Sequence, residues 1–381
     1  MKNSKKIPME LYIHIPFCVK KCEYCDFLSG PADEERKKAY IEALLSEIRG
    51  IPSLERDSRE VTSVFIGGGT PSLIEGSEIE RILETLRMLF SFAPDAETSI
   101  EANPGTLTAE KLETYRKAGI GRLSLGLQST EDRILRTLGR IHTWQDFLES
   151  YRKARQAGFE NINVDLMCAV PGQAYKDWIR SLRTVAELGP EHISAYSLII
   201  EPGTPFAERE LDLPDEDTEY RMYEDTAAVL GEYGYEQYEI SNYALKGYAC
   251  RHNIGYWRRT DYLGIGLGAA SLLAGKRFHN TDRMEQYLKD SSVPAKIRRD
   301  TALLTKTEQE EEFMFLGLRM TEGVSEEEFQ LQFGVPMEQI YGEVLEKYEN
   351  MGFLEKKGEF WRLTRKGIHV SNHILADFLQ D

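Results

Sequence analysis

The run Tyr12-Ile-His-Ile-Pro-Phe-Cys-Val-Lys-Lys-Cys-Glu-Tyr-Cys-Asp-Phe27 places Cys18, Cys22 and Cys25 in a C-x3-C-x2-C spacing just after an extended, β-branched segment. Three thiolates are one too few to close a four-iron cluster, which takes a sulfur ligand on each iron. An incomplete set leaves a coordination position open, and an open position distinguishes a reactive metal site from a structural one. Structural zinc is the competing reading and needs a fourth ligand. His14 lies upstream in the same extended run, where alternation turns it to one face, and no further Cys or His pair stands at zinc spacing. Disulfides are disfavoured, because the five cysteines are odd in number and nothing suggests secretion.

Working outward, the first 200 residues alternate strand-like and helix-like segments. Strands are expected at Leu11–Ile15, Val61–Ile66, Glu97–Glu101, Arg122–Gly126, Asn161–Met167 and His192–Leu198, each short and bounded by Gly, Pro or Asn. Amphipathic helices fall between them. One presents Ile41, Leu44, Leu45 and Ile48; another opens on the capping-box pattern Ser77-Glu-Ile-Glu80; two more start at Thr108 and Thr143 and stop at Gly119 and Gly158. A fifth carries Trp178, Leu182, Val185 and Ala186. Right-handed crossovers turn six such βα pairs into a parallel sheet with helices outside. Six units are two short of a closed eight-fold barrel, so a curved, open barrel is expected. Sites in such sheets lie at the C-terminal strand ends, where five motif-bearing loops converge: the cysteine run, Gly67-Gly-Gly-Thr-Pro71, Glu101-Ala-Asn-Pro104, Gln128 and Asp165.

Residues 1–285 are expected to form this barrel and its extension, 286–306 a polar linker, and 307–381 a small helical, winged-helix-like domain with a hairpin turning at Lys357-Gly358. A wing suggests DNA, but residues 301–381 carry 16 acidic and 8 basic side chains. The whole chain of 381 residues has a formal charge of −16, which argues against nucleic acid as a partner. The basic start, Met1 to Lys6, leads into an apolar run broken by His14 and Pro16, so it is not read as a signal peptide. No stretch approaches the roughly 20 apolar residues of a membrane span. A cytoplasmic protein with reduced thiols is expected.

The cysteine spacing, with its flanking residues, resembles the radical S-adenosylmethionine (radical SAM) enzymes. That resemblance implies a partial (β/α)6 barrel, one [4Fe–4S] cluster on Cys18, Cys22 and Cys25, and SAM at the open iron. A pocket for SAM needs a counter-charge for its ammonium and another for its carboxylate. Glu101 suits the first and Arg140, as a planar fork, the second. Gly68 and Gly69 let backbone approach the ligand, followed by Thr70. Gln128 and Asp165 suit ribose hydroxyls, and Tyr12 and Tyr24 are expected to flank the cluster, packing in the core, shielding the cluster or stacking against the SAM adenine. Taken singly, each of these residues is as well explained by a turn, a cap or a surface charge.

Tyr12–Cys18, Gly67–Pro71, Glu101–Pro104, Gly126-Leu-Gln128 and Leu138-Gly-Arg140 narrow the resemblance to the oxygen-independent coproporphyrinogen III oxidase branch, over most of residues 10–280. Two departures count against the oxidase itself. Its fourth cysteine, two residues after the third, is Phe27 here, and eleven residues precede Tyr12 where the oxidase has a long extension. Both match the heme chaperones allied to that oxidase. So does His252-Asn-Ile-Gly-Tyr-Trp257, which matches their H-N-x-x-Y-W motif. From its residues alone that run is a packed loop with a satisfied histidine. The resemblance makes it a heme site, with His252 or Cys250 as iron ligand and Tyr256 and Trp257 as flat apolar surface. On a strand, Cys250 and His252 would face one way. The expected function is a chaperone binding heme and delivering it to acceptor proteins, with an electron donor for the cluster. The alternatives are coproporphyrinogen oxidation, a radical SAM methyltransferase, and a zinc-stabilised binding module.

Overall fold

Alternation along the first strand sets the architecture. In the computed structural model, which describes residues 6–380, β1 (Ile7–Ile15) turns Met9, Leu11, Ile13 and Ile15 to an apolar layer and Glu10, Tyr12 and His14 to the other face. The basic start lies largely outside the described residues. Five parallel strands follow in order: β2 (Arg59–Gly68), β3 (Phe92–Ala102), β4 (Arg122–Gln128), β5 (Ile162–Cys168) and β6 (His192–Ser197). The crossover helices Glu34–Gly50, Gly76–Leu89, Ala109–Lys117, Trp144–Gln156 and Tyr175–Glu187 cover the apolar face.

The caps explain most helix starts. Thr143 accepts from Asp146 N while the Asp146 carboxylate accepts from Thr143 N, and Thr108 accepts from Lys111 N. The expected capping box at Ser77 does not form. That helix begins one residue earlier, at Gly76, behind Glu75, which makes no side-chain cap.

The sheet does not close into a ring. Beyond β6 it continues antiparallel through a hairpin, β7 (Glu236–Glu239) and β8 (Asn242–Ala244). On the other side β9 (Tyr262–Ile265) joins β1 in parallel and leads to β10 (Ala270–Leu273), β11 (Lys276–Asn280) and β12 (Arg298–Leu303). The result is one open sheet of twelve strands with the six-stranded parallel barrel at its centre. The expected linker is therefore corrected in part. Residues 298–303 form the edge strand β12, hydrogen-bonded to β11. Its side chains are half-buried or exposed, so the strand has no apolar face and reads as polar coil.

The last segment builds its own core. Helices Lys306–Gly317, Glu326–Phe333 and Met337–Asn350 pack Met314, Phe329, Tyr341 and Leu345 against a three-stranded sheet. In it β15 (Phe360–Leu363) lies between β13 (Val324–Ser325) and β14 (Leu354–Lys357). This winged arrangement docks on the barrel. Thr321 N donates to Tyr238 O at 3.0 Å, Glu312 pairs with both Arg259 and Arg277, and the Arg319 guanidinium lies 4.4 Å from the Trp257 ring centroid. No helix among the described residues is long and apolar enough to cross a membrane.

The two faces of the barrel differ in their energetics. Each fully buried Leu or Ile on the outer layer is worth about 1.5–3 kcal/mol. The inner face carries Glu101, Arg122, Ser124, Asn163, Asp165 and His192, and desolvating an ion costs several kcal/mol. Stability alone would favour apolar residues there. The polar lining is thus the part of the barrel that calls for a functional explanation.

Candidate functional site

The cysteine loop leaves β1 at its C-terminal end and is pinned at its neck. Cys18 N donates to Gly30 O and Gly30 N to Pro16 O, each at 3.0 Å. Further out, Glu23 N donates to Leu138 O and Phe206 N to Glu23 O, so the loop is held against the segments after β4 and β6. His14 supports it from below. Its Nε2 lies 2.9 Å from Leu28 O and its Nδ1 3.0 Å from Tyr12 Oη, which leaves neither nitrogen free as a fourth metal ligand.

Cys18, Cys22 and Cys25 are half-buried free thiols lining one cavity of about 480 Å³ at the strand ends. Thr70 Oγ1 stands 3.6 Å from Cys18 Sγ and Arg140 Nη1 3.7 Å from Cys22 Sγ, so two donors face the sulfurs. Burial raises the Cys25 thiol above its ordinary pKa. Among the described residues no three His, Cys, Asp or Glu side chains are grouped as for a single metal ion. Three thiols on one cavity, with donors to sulfur and no further Cys or His among the described residues lining it, are a donor set that fits a cluster with one iron left open.

The glycine loop after β2 forms the next wall. Gly69 N donates to Ile15 O at 2.8 Å, and a Cβ there would lie 2.7 Å from Phe17 O. Gly68 has φ +112°, and its Cβ would sit 2.5 Å from the His14 ring. Only glycine permits this approach of β2 to the cysteine loop.

Glu101 accepts from Gly68 N at 3.0 Å. Burial, then the neighbouring Asp165 carboxylate, pushes its pKa up to about 8. Asp165 accepts from Asn163 Nδ2 at 2.7 Å and from Ser124 Oγ at 3.3 Å, and burial raises it too. Arg140 Nη2 donates to Asn103 Oδ1 and Gly126 O, both at 2.6 Å. Gln128 sits at φ +75°, where β4 shifts register against β5, and its Oε1 accepts from Tyr196 Oη at 2.9 Å. Glu101, Asp165, Arg140 and Gln128, with Tyr24, Gly68, Gly69 and Thr70, line the same cavity.

Tyr12 does not. It is on the inward face of β1 but below the rim, beside Phe65, in a second chamber of about 350 Å³. The expectation that it flanks the cluster is corrected, because alternation aims it into the barrel. The two chambers share Glu101, Ser124, Asp165, Ser194 and Asn242 as a common wall.

The inner chamber also holds the residues expected at heme. Arg251–Trp257 is a helix with Cys250 as its N-cap residue, so the strand geometry is corrected. Both side chains still face the chamber. His252 is only 3% exposed, with Nδ1 2.8 Å from Ser63 Oγ and its ring stacked 5.2 Å from Phe65. Burial lowers its pKa to about 3, so the imidazole is neutral. Cys250 Sγ lies 3.6 Å from Glu97 Oε1, and burial pushes its thiol up to about 11. Tyr256 lines the chamber, whereas Trp257 lies under Arg319 of the C-terminal domain.

Against known proteins, residues 12–185 match the radical SAM superfamily and residues 304–370 the HemN C-terminal domain. Three relatives named heme chaperone HemW align over nearly the full length of both chains. Those of Lactococcus lactis and Escherichia coli are 36% identical, covering 98% of this chain and 98% and 99% of theirs. That of Bacillus subtilis is 37% identical, over 97% of this chain and 98% of its own. The chain belongs to the HemW family. Among solved structures, coproporphyrinogen III oxidase (HemN) of Escherichia coli, described as a radical SAM enzyme, superposes with a TM-score of 0.85. The two are 25% identical over 98% of this chain and 91% of that one. In this HemW-family chain, sequence reasoning passed over Asn103, Ser124, Ser194 and Tyr196, which complete the rim cavity or its shared wall, and Asn163, which lines the inner chamber. Their signal was present as polar or small residues two apart on strands otherwise apolar: Ser124 and Gly126, Asn163 and Asp165, Ser194 and Tyr196.

Proposed function

We propose that this chain is a radical SAM-type heme chaperone. In this reading Cys18, Cys22 and Cys25 hold a [4Fe–4S] cluster, the rim cavity binds SAM, and the cargo is heme. Phe27 carries the choice over the oxidase: it lines the rim cavity where that enzyme has its fourth cysteine, and the full-length relatives are chaperones by name.

Bound together, the cluster and SAM supply one-electron reducing chemistry. The chain's own residues prepare the place. Arg140 and Thr70 direct donors at the sulfurs. Glu101, once ionised, takes the SAM ammonium, and the Arg140 guanidinium its carboxylate. Gln128 and Asp165 bind the ribose, and Tyr24 shields the cluster loop. His252, Cys250, Tyr256 and Trp257 remain the proposed heme contacts. In the present conformation His252 is enclosed, so the 251–257 helix must shift before its imidazole reaches iron. Heme-acceptor proteins and an electron donor are the proposed partners, and the cytoplasm, where thiols stay reduced, is the proposed compartment.

The test is anaerobic reconstitution of the cluster followed by heme loading. Transfer of heme to an apo-acceptor, with 5′-deoxyadenosine followed with and without SAM, is the expected result. Sustained protoporphyrinogen formation from coproporphyrinogen III would make it an oxidase instead. Methylated product with S-adenosylhomocysteine would make it a methyltransferase.

A further inference from the structure

We infer that the cleft between the barrel and the C-terminal domain is a porphyrin site, with His369 as the side chain that meets the metal. The inference rests on the heme reading above and adds an outer station for the cargo, distinct from the His252 chamber, which heme can enter only after the 251–257 helix shifts.

The cleft has a volume of about 770 Å³, against about 350 Å³ for the inner chamber. Organic ligands of moderate size occupy pockets of about 300–1,000 Å³, so the chamber lies at the bottom of that range and the cleft in its upper part. Its walls combine polar residues with an apolar and aromatic set. Ile199 comes from the segment after β6, Tyr220 and Tyr223 from the 216–231 helix, and Phe353, Ile368 and Val370 from the C-terminal domain. Ile199 is 69% exposed, Tyr220 49% and Val370 40%. Apolar groups this open, gathered in one concavity, mark a place where a flat apolar ligand gains by burial.

His369 lies among them. Its Nε2 is bonded to the Glu224 carboxylate, across the boundary between the two domains. Its ring packs 4.2 Å from Tyr220 and 4.9 Å from Tyr223, centroid to centroid. A nitrogen that donates to a carboxylate leaves the other nitrogen of a neutral ring with its lone pair. This orientation by a carboxylate is how metal-binding imidazoles are commonly held.

Charge is arranged for a ligand with carboxylate arms. Lys366 lines the cleft, and Arg319 lines it with a buried Nε that has no partner among the described residues. Glu216 and Glu219 also line it, so the arms belong toward Lys366 and Arg319. The cleft adjoins the cluster cavity: Tyr196, Ser197 and Ile199 line both. A porphyrin here would lie next to the SAM site without entering the barrel.

The test uses the full chain with its cluster reconstituted. Ferric heme is titrated into wild type, His369→Ala, Glu224→Gln and His252→Ala, following the Soret difference band and the EPR signature of the axial ligand. The expected result is wild-type binding with imidazole ligation, lost or shifted in His369→Ala and restored by added imidazole. Glu224→Gln should weaken binding about 10-fold, as loss of an outer-shell partner does. His252→Ala reports on the inner chamber separately: it should lose whatever heme complex forms there and leave the His369-ligated species in place. An unchanged His369→Ala spectrum overturns the inference, as does loss of ligation in His252→Ala alone. A His369→Ala loss that imidazole does not restore also overturns it, because the histidine then only ties the domains together. If wild type binds no heme, the chaperone reading itself fails, and the site with it.

Discussion

Arg140 joins the cysteine loop to the barrel: its Nη1 stands 3.7 Å from Cys22 Sγ while its Nη2 is held by Asn103 Oδ1 and Gly126 O at 2.6 Å each. The guanidinium is fixed before any ligand arrives, with one edge facing the cavity. Replacing it should therefore remove a positioned cation rather than a mobile one. Hydrogen bonds to charged groups are worth about 1.5–3 kcal/mol, or about 10- to 100-fold in affinity. Arg140→Ala should raise the SAM dissociation constant by that factor, measured by equilibrium dialysis on reconstituted protein. Arg140→Lys should do little better, since a point charge cannot span three partners. SAM affinity indistinguishable from wild type in both variants would remove Arg140 from the site.

Cys22→Ala should cost most of the iron and acid-labile sulfide but not the fold. The thiol is half-buried and makes one weak contact, so little packing is lost. Metal analysis and circular dichroism on the same anaerobic sample check both halves. A full cluster in the variant would show that the ligands lie elsewhere.

Glu101 makes the ligand-free protein sensitive to pH. Its folded pKa, about 8, lies above the ordinary value of 4.5, chiefly because burial disfavours the charge. Between those values the folded state binds more protons than the unfolded one. This contribution is therefore fully present below pH 4.5 and is lost as pH rises through about 8. Urea midpoints should fall from pH 6 to pH 9 in wild type, with a shallower fall in Glu101→Gln. On the proposed assignment SAM pairs with the ionised carboxylate, so its affinity should rise over the same interval. Parallel pH profiles for wild type and Glu101→Gln would contradict the assignment.

Gly255 tests how tightly the 251–257 helix is pressed onto β1. A Cβ there would lie 2.0 Å from Glu10 Oε1, inside any tolerable contact. Gly255→Ala should destabilise by about 1–3 kcal/mol, the usual range for overpacking. Gly231→Ala is the control: it ends a helix and a Cβ would meet nothing within 4 Å, so it should be neutral or slightly stabilising. Equal urea midpoints for the two variants would mean that the helix lies loosely on the strand.

The parallel strands were legible because their outer faces repeat Ile, Leu and Val every second residue, as at Leu11, Ile13 and Ile15. The cysteine loop was legible from its spacing taken together with its flanking residues. What escaped was whatever depended on a partner strand or a distant element. β12 was missed because an edge strand with exposed side chains carries no apolar signal. Tyr12 was assigned to the wrong chamber because proximity in sequence to Cys18 outweighed the alternation that aims it inward. The helix at Arg251–Trp257 was missed because a seven-residue segment with two aromatic residues at its end has little periodicity to read. The His369–Glu224 pair spans 145 positions in the chain, and no local pattern announces it.

The twelve-stranded sheet ends in two unjoined edges, β7 and β12. A sealed ring of strands has a fixed circumference, because widening it tears a ladder of backbone bonds. Here the seam is bridged by side chains, by the Thr321–Tyr238 backbone bond and by the lone pairing of Glu239 with Met320. The bore of this molecule is thus not set by a closed ladder: the contacts named across the seam can be broken without breaking any strand pairing within the twelve-stranded sheet.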